Sequence, residues 1–336
     1  FLMIRRPPRS TQGVSSAASD VYKRQDNGDI DLDDLRTRAG EHSENLAAIM
    51  VTYPSTNGIF ERGIREICAI THEHGGQVYM DGANLNAMAG IAKPGDLGMD
   101  ILHFNLLKTF SVPHGGGGPG AGATAVREDL ARFLPTPVLV REESGPDGTA
   151  SYRLDSERPD SIGRVRAFHG NVNNALRGYA YLLSLGRDGL RDMAETAVLN
   201  ANYLLARLGD VLNAPFKGPC MHEALFDDHS LDNTGVTTLD FSKALIDAGY
   251  HPTTIYFPLV VHGAMLMEPT ETESKVTLDH FVDVVRDLAQ RAQTGDKEYF
   301  DEAPRLTPRR RLDETGAARR PILRWRPAVA QDELAE

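Results

Sequence analysis

The chain has 336 residues, 41% of them apolar, and a formal net charge of −11. That length and apolar content suffice to bury one large and one small domain, while the acidic balance argues against nucleic acid, whose phosphates need clustered Lys and Arg. No apolar run of about 18 residues predicts a membrane span, and two cysteines, Cys68 and Cys220, make no disulfide framework and suit a reducing compartment.

The first 25 residues stand apart. They carry five Lys/Arg and one Asp, so the rest of the chain has a net charge of −15. The stretch beginning Phe-Leu-Met-Ile-Arg-Arg-Pro-Pro-Arg-Ser-Thr-Gln resembles translated sequencing-adapter sequence. A basic, Ser-rich mitochondrial targeting arm would read similarly, and residues 1–25 are set aside as a non-native segment. From Asp26 onward strand and helix patterns alternate. Residues 47–53 form a continuous apolar run stopped by Pro54, as a buried parallel strand does. A helix follows over about 60–74, with Ile64, Ile67, Cys68 and Thr71 on one face and Gly75-Gly76 at its end. Further strands are expected at 77–81, 100–105 and 121–126. Strands linked by a short helical crossover predict a parallel sheet, whose ligands gather beyond the carboxyl ends of its strands.

Pro135, Pro137 and Gly-Pro-Asp-Gly at 145–148 mark a loop-rich stretch. Helices are expected over 172–184 and 188–208. A smaller α/β unit follows, with strands near 220–226, 256–261 and 264–268 and helices near 238–248 and 274–292. The domain reading is a partial large cofactor-binding domain over 26–190, a small C-terminal domain over 191–300 and an irregular tail over 301–336. The short Arg-rich pieces at 305–311 and 318–326 read as part of that solvated tail.

The chemistry collects at strand ends. Tyr53, Asp81, Asn105 and Lys108 all lie at or just past the carboxyl ends of expected strands. A lysine after one strand and an aspartate closing another are what a pyridoxal 5'-phosphate site needs. The lysine amine holds the aldehyde as a Schiff base, and the carboxylate keeps the ring nitrogen protonated so that the ring can act as an electron sink. An ion pair there is worth far more in a low-dielectric pocket than in water. Asn105 and Thr109 flank the lysine and are candidates for phosphate or ring oxygens. Tyr53 is a candidate for the ring's 3′ oxygen, and His114 for cofactor or substrate. The glycines at 115–118 fit a close backbone approach to a ligand. No His, Cys and carboxylate set shows metal spacing along the chain.

Five segments occur in order: Met-Val-Thr-Tyr-Pro-Ser-Thr-Asn-Gly (50–58), Asp-Gly-Ala-Asn-Leu-Asn-Ala (81–87), Lys-Thr-Phe-Ser-Val-Pro-His-Gly-Gly-Gly-Gly-Pro-Gly (108–120), Ser-Ile-Gly-Arg-Val-Arg (161–166) and Glu-Pro-Thr-Glu-Thr-Glu (268–273). Together, from about residue 26 onward, they resemble the P-protein of the glycine cleavage system, nearer to the separate second subunit than to the single-chain form. The resemblance implies an α/β fold of fold type I, a mostly parallel large-domain sheet lacking its N-terminal part, and a smaller C-terminal α/β domain. It implies glycine decarboxylation through Lys108 and Asp81, with the aminomethyl group passed to the lipoyl arm of H-protein. Glycine, lipoylated H-protein and a first P-protein subunit would be the partners, in a bacterial cytoplasm rather than a mitochondrion. The alternatives are another enzyme of that fold, such as an amino-acid decarboxylase or desulfurase, or a non-catalytic supporting subunit. His169, His222 and His251 fall in family-like segments without being read as catalytic bases. Leu107 departs from the family, which usually has histidine before the lysine. The family's second subunit also has a longer N-terminal part carrying early strands and glycine-rich phosphate turns, so the chain is read as a truncated one.

Overall fold

The computed structural model describes residues 2–4, 19–20, 25–114, 120–142 and 149–324. The glycine run 115–118 and the turn at 145–148 fall outside the described residues. The main sheet has six strands: β1 (Leu2–Ile4), β2 (Ser19–Asp20), β3 (Leu46–Thr52), β4 (Gln77–Asp81), β5 (Ile101–Asn105) and β6 (Gly122–Val126), in the order β2-β1-β3-β4-β5-β6. Pairing is parallel from β3 to β4 and from β4 to β5, and antiparallel elsewhere. The parallel expectation therefore holds for the three central strands, and the sheet as a whole is mixed. After β5 the chain enters α4 (Leu106–Thr109), too short for a crossover, and returns along β5 as β6 with Asn105 opposite Gly122. Leu2–Ile4, in the segment set aside above, pairs with the edge of β3.

Helices α1 (Leu32–Glu41) and α2 (Ile64–Glu73) cover one face of the sheet, and the short α3 (Pro94–Leu97) precedes β5. Asp31 caps α1 by accepting from the backbone N–H groups of Asp33 and Asp34, which satisfies donors that a helix start leaves open. The expected stripe on α2 is buried, including Ile64, Ile67, Cys68 and Thr71, and packs with Ile49, Val51, Val78 and Met80. Alternation then turns Thr52, Tyr79, Asp81 and His103 to the opposite, half-buried face. One face of the sheet thus makes the core and the other carries the chemistry.

A second core lies C-terminal to the first. The hairpin β7 (Val138–Glu142) with β8 (Ser151–Asp155) leads to the long α5 (Val172–Leu208), whose two helical segments meet at Gly186, with φ 63°. The break falls between the two expected helices. Beyond it, α5 packs with β9 (Ala224–Phe226), α6 (Thr238–Asp247), β11 (Met265–Met267), α7 (Lys275–Gln293) and α8 (Lys297–Glu302). The strand expected at 256–261 is replaced by β10 (Thr254–Ile255), after which the chain turns back to β11 with Tyr256 N–H bonded to the Ala264 carbonyl. The region beyond 293 is more ordered than its composition predicts. Phe300 is fully buried and stacked on Phe241, Arg311 pairs with Asp240, and a further helix, α9 (Glu314–Arg319), follows. Burial of one aromatic ring anchors the segment that polar composition marks as loose. Among the described residues no helix is long and apolar enough to cross a membrane.

Candidate active site

Asp81 closes β4, and Lys108 stands on α4, three residues beyond the end of the neighbouring parallel strand β5. Both therefore sit past the carboxyl ends of adjacent strands, as ligand-binding groups in parallel sheets do. Lys108 is exposed and Asp81 half-buried.

Asp81 is held from several sides. Its Oδ1 accepts the Ala83 N–H at 3.0 Å and lies 3.2 Å from His103 Nε2. Its Oδ2 accepts from the Thr52 hydroxyl at 3.5 Å. On the far side of the imidazole, Tyr79 OH lies 2.8 Å from His103 Nδ1. The three groups share one sheet face because Tyr79 and Asp81 are two residues apart and Asp81 pairs with His103 across the strands. If the phenol donates to Nδ1, the remaining ring N–H points at the carboxylate, a neutral relay that fixes the position of Asp81. Gly82 permits the tight turn that follows, since a side chain there would collide with Leu102 and the His103 carbonyl.

The other expected residues separate. Asn105 ends β5 beside Gly122, and the Thr109 hydroxyl accepts the Leu85 N–H at 3.0 Å. Thr109 is thereby tied to the loop that follows Asp81. His114 is exposed. Tyr53 directly follows β3, past the strand end as expected, but its side chain turns inward on the same face as Val51. It is 3% exposed within the large-domain core, against Phe60, and burial with the nearby Glu61 charge pushes its phenol up to about 12.

A cluster that sequence spacing did not reveal joins the two cores. Asn84 and Asn86, just after Asp81, both donate to Glu268 Oε1, at 2.5 and 2.7 Å. His222 Nε2 lies 3.9 Å from that oxygen and 3.8 Å from Glu223 Oε2. His222 is 1% exposed and neither ring nitrogen has a hydrogen-bond partner. One ligand atom from each of His222, Glu223 and Glu268 falls within 4.8 Å of the others, the separation a metal could use. The set was invisible along the chain because Glu268 arrives from a distant turn; its motif was legible, its neighbours were not. Burial drives both kinds of group towards neutrality: the imidazole falls to about 4, helped by the Lys108 charge, and the Glu223 carboxyl is pushed up to about 8, helped by Glu268. Glu268 reaches the cluster from the exposed rim, and the desolvation of its carboxyl there likewise raises it.

These shifts set a pH dependence of stability. Between the ordinary carboxylate range and about 8 the folded state keeps a proton on Glu223 that the unfolded state has lost, so stability contributed there falls as pH rises. The loss in unfolding free energy from pH 5 to pH 8, measured by denaturant titration, should be smaller in Glu223→Gln than in the unsubstituted chain. An identical pH slope in both would place the proton elsewhere.

The likeness to known proteins follows this geometry. A profile described as glycine dehydrogenase, C-terminal domain, matches residues 193–306. The chain is 56% identical over 330 residues to the probable glycine dehydrogenase (decarboxylating) subunit 2 of Caulobacter vibrioides, an alignment that takes in 98% of this chain and 62% of the relative. The chain belongs to the family of glycine dehydrogenase (decarboxylating) subunit 2. It spans about three fifths of the length of that relative. Among solved structures, glycine decarboxylase (P-protein) of the glycine cleavage system, in inhibitor-bound form, superposes with a TM-score of 0.61 at 22% identity, covering 73% of this chain and 55% of that one. The apo cysteine desulfurase of Thermococcus onnurineus NA1 does so with a TM-score of 0.58 at 18% identity, covering 81% and 66%. The α/β fold of the family is thus fold type I. Both structural likenesses, at 22% and 18% identity, are of fold alone.

Proposed function

We propose that this chain supplies the cofactor-anchoring lysine and the ring-facing carboxylate of a pyridoxal-phosphate-dependent glycine decarboxylase in the bacterial cytoplasm. The observation that carries the reading is the juxtaposition of Lys108 and Asp81 beyond adjacent parallel strands, with Asp81 braced by His103, Thr52 and a backbone N–H. The donor set fits the cofactor: an exposed primary amine and a fixed carboxylate. Lys108 would hold pyridoxal phosphate through Nζ, and Asp81 would face its ring nitrogen. When bound, the cofactor supplies an aldehyde and a protonated ring that takes up the electron pair freed as carbon dioxide leaves.

The chain's own groups orient and tune. Asp81 keeps a negative charge where the ring needs a proton, and the Tyr79–His103 pair restrains its rotation. Thr109, its oxygen engaged by Leu85 N–H, is left to donate its hydroxyl proton, and Asn105 and His114 are further candidates for cofactor or substrate oxygens. Partners in this reading are glycine, the lipoylated H-protein that takes the aminomethyl group, and a first subunit. The test is glycine–carbon dioxide exchange by this chain in complex with a first subunit and lipoylated H-protein. Label exchange that depends on all three is the expected result, and exchange unaffected by leaving out this chain would defeat the reading.

Leu107 offers a further check. The resemblance puts histidine before the lysine, and leucine can neither donate nor accept a hydrogen bond. In the same complex, Leu107→His should raise cofactor affinity or turnover. No change in either would remove this position from the site.

A further inference from the structure

Glu268 belongs to the C-terminal core by its place in the chain, yet its carboxylate engages the large domain. It directly follows β11, whose three residues are buried. The turn that carries it is held from two sides. Asn200, on the second segment of α5, donates to the Thr270 carbonyl at 2.8 Å and to the Glu273 carbonyl at 3.2 Å. Tyr181, on the first segment, donates to Glu271 Oε1 at 2.9 Å. Thr270 itself has φ 50°, a conformation that a β-branched residue keeps only where its surroundings impose it. The turn is a fixed mount.

What it mounts is the loop after Asp81. Asn84 and Asn86 both donate their side-chain amides to Glu268 Oε1, and the Asn86 N–H closes the loop on Asn84 Oδ1 at 2.9 Å. Asn86 is 2% exposed, so its amide has no water to turn to if the carboxylate is lost. Within the same loop, Leu85 N–H donates to the Thr109 hydroxyl and Ala83 N–H to Asp81 Oδ1, each at 3.0 Å. The Ala83 carbonyl accepts the Asn105 N–H at 3.1 Å. Loop 83–86 thus touches Asp81, Asn105 and Thr109, and Glu268 grips it from the C-terminal core.

We propose that Glu268 is a positioning residue for the cofactor site: it anchors loop 83–86 and so sets where Asp81 and Thr109 stand. This deepens the proposed function and rests on it, since Asp81 and Thr109 are groups which that reading assigns to the cofactor. Glu268 acts through the loop and touches no reacting atom. Without it the buried Asn86 amide lacks an acceptor, and a loop that rearranges to find one carries the Ala83 and Leu85 N–H groups away from Asp81 and Thr109 together.

Amide hydrogen exchange of the cofactor-free full chain reads the anchoring directly. Glu268→Leu should speed exchange of the Ala83 and Leu85 amides roughly tenfold or more, as the loss of acceptor opens the loop. Glu268→Gln keeps a carbonyl oxygen that can accept both amides and should stay close to the unsubstituted chain. Asn84→Ala with Asn86→Ala removes the same contacts from the loop side and serves if Glu268→Leu does not fold. In the complex with a first subunit, Glu268→Leu should weaken pyridoxal phosphate binding by a similar factor, and Glu268→Gln should not. Val282→Ala, which opens a cavity in the C-terminal core, should lower the melting temperature without moving either reading. Unchanged exchange in Glu268→Leu would overturn the inference. So would Glu268→Gln behaving like Glu268→Leu, since charge and not anchoring would then be responsible, or faster exchange with unaltered cofactor affinity. Faster exchange in Glu268→Leu together with failed borohydride trapping on Lys108 in the unsubstituted complex would reject the cofactor reading and keep the anchoring of the loop.

Discussion

Borohydride reduction of the cofactor-loaded complex should fix pyridoxal phosphate on the peptide that spans Lys108, and Lys108→Ala should leave no trapped label and no glycine–carbon dioxide exchange. The effect is expected to be total because the amine is the attachment point and a methyl group offers no nucleophile. The position favours this outcome. Lys108 is exposed on the short helix that follows β5, at the carboxyl edge of the parallel strands, while the neighbouring Thr109 is buried and bonded to the loop after Asp81. The backbone beneath the lysine is therefore fixed, and only the side chain is left to reach. Label on Lys93, Lys217 or Lys243 in place of Lys108 would show that another amine carries the cofactor.

The second large effect is expected at Asp81. Asp81→Asn should leave the cofactor bound and cut turnover by roughly 10²–10³-fold, the scale seen when one preorganised electrostatic group is removed from a reacting centre. The amide keeps the shape and can still accept the Ala83 N–H, but it no longer carries the charge that holds a proton on the ring nitrogen. It would also lose the charge-assisted contact with His103. Unchanged turnover would mean that another carboxylate faces the ring. His103→Gln separates the two contributions. It breaks the link to Tyr79 while keeping the Asp81 charge, and should cost far less than Asp81→Asn.

The sequence by itself determined the alternating elements of the large domain, since buried strands and an amphipathic helix leave period-two and period-3.6 patterns that depend only on local neighbours. β4 spans Gln77–Asp81 as expected, and α2 buries the expected Ile64, Ile67, Cys68 and Thr71. The placement of Asp81 and Lys108 at and just past strand ends was legible for the same reason: each is a polar residue at the end of an apolar run. The tertiary structure alone decided the direction of β6, because an apolar strand reads the same in either orientation and only the short α4 turns the chain back. It also decided that Tyr53 enters the core and that Phe300 anchors an otherwise polar tail. The cluster of His222, Glu223 and Glu268 belongs to the same class. Two of its members are adjacent in sequence, but the third comes from the turn after β11, and packing between the two cores buries His222 and Glu223 while Glu268 reaches them from the exposed rim. Burial, which turns ordinary His and Glu side chains into groups with shifted proton affinity, is a property of what surrounds them in space and leaves no mark on the chain.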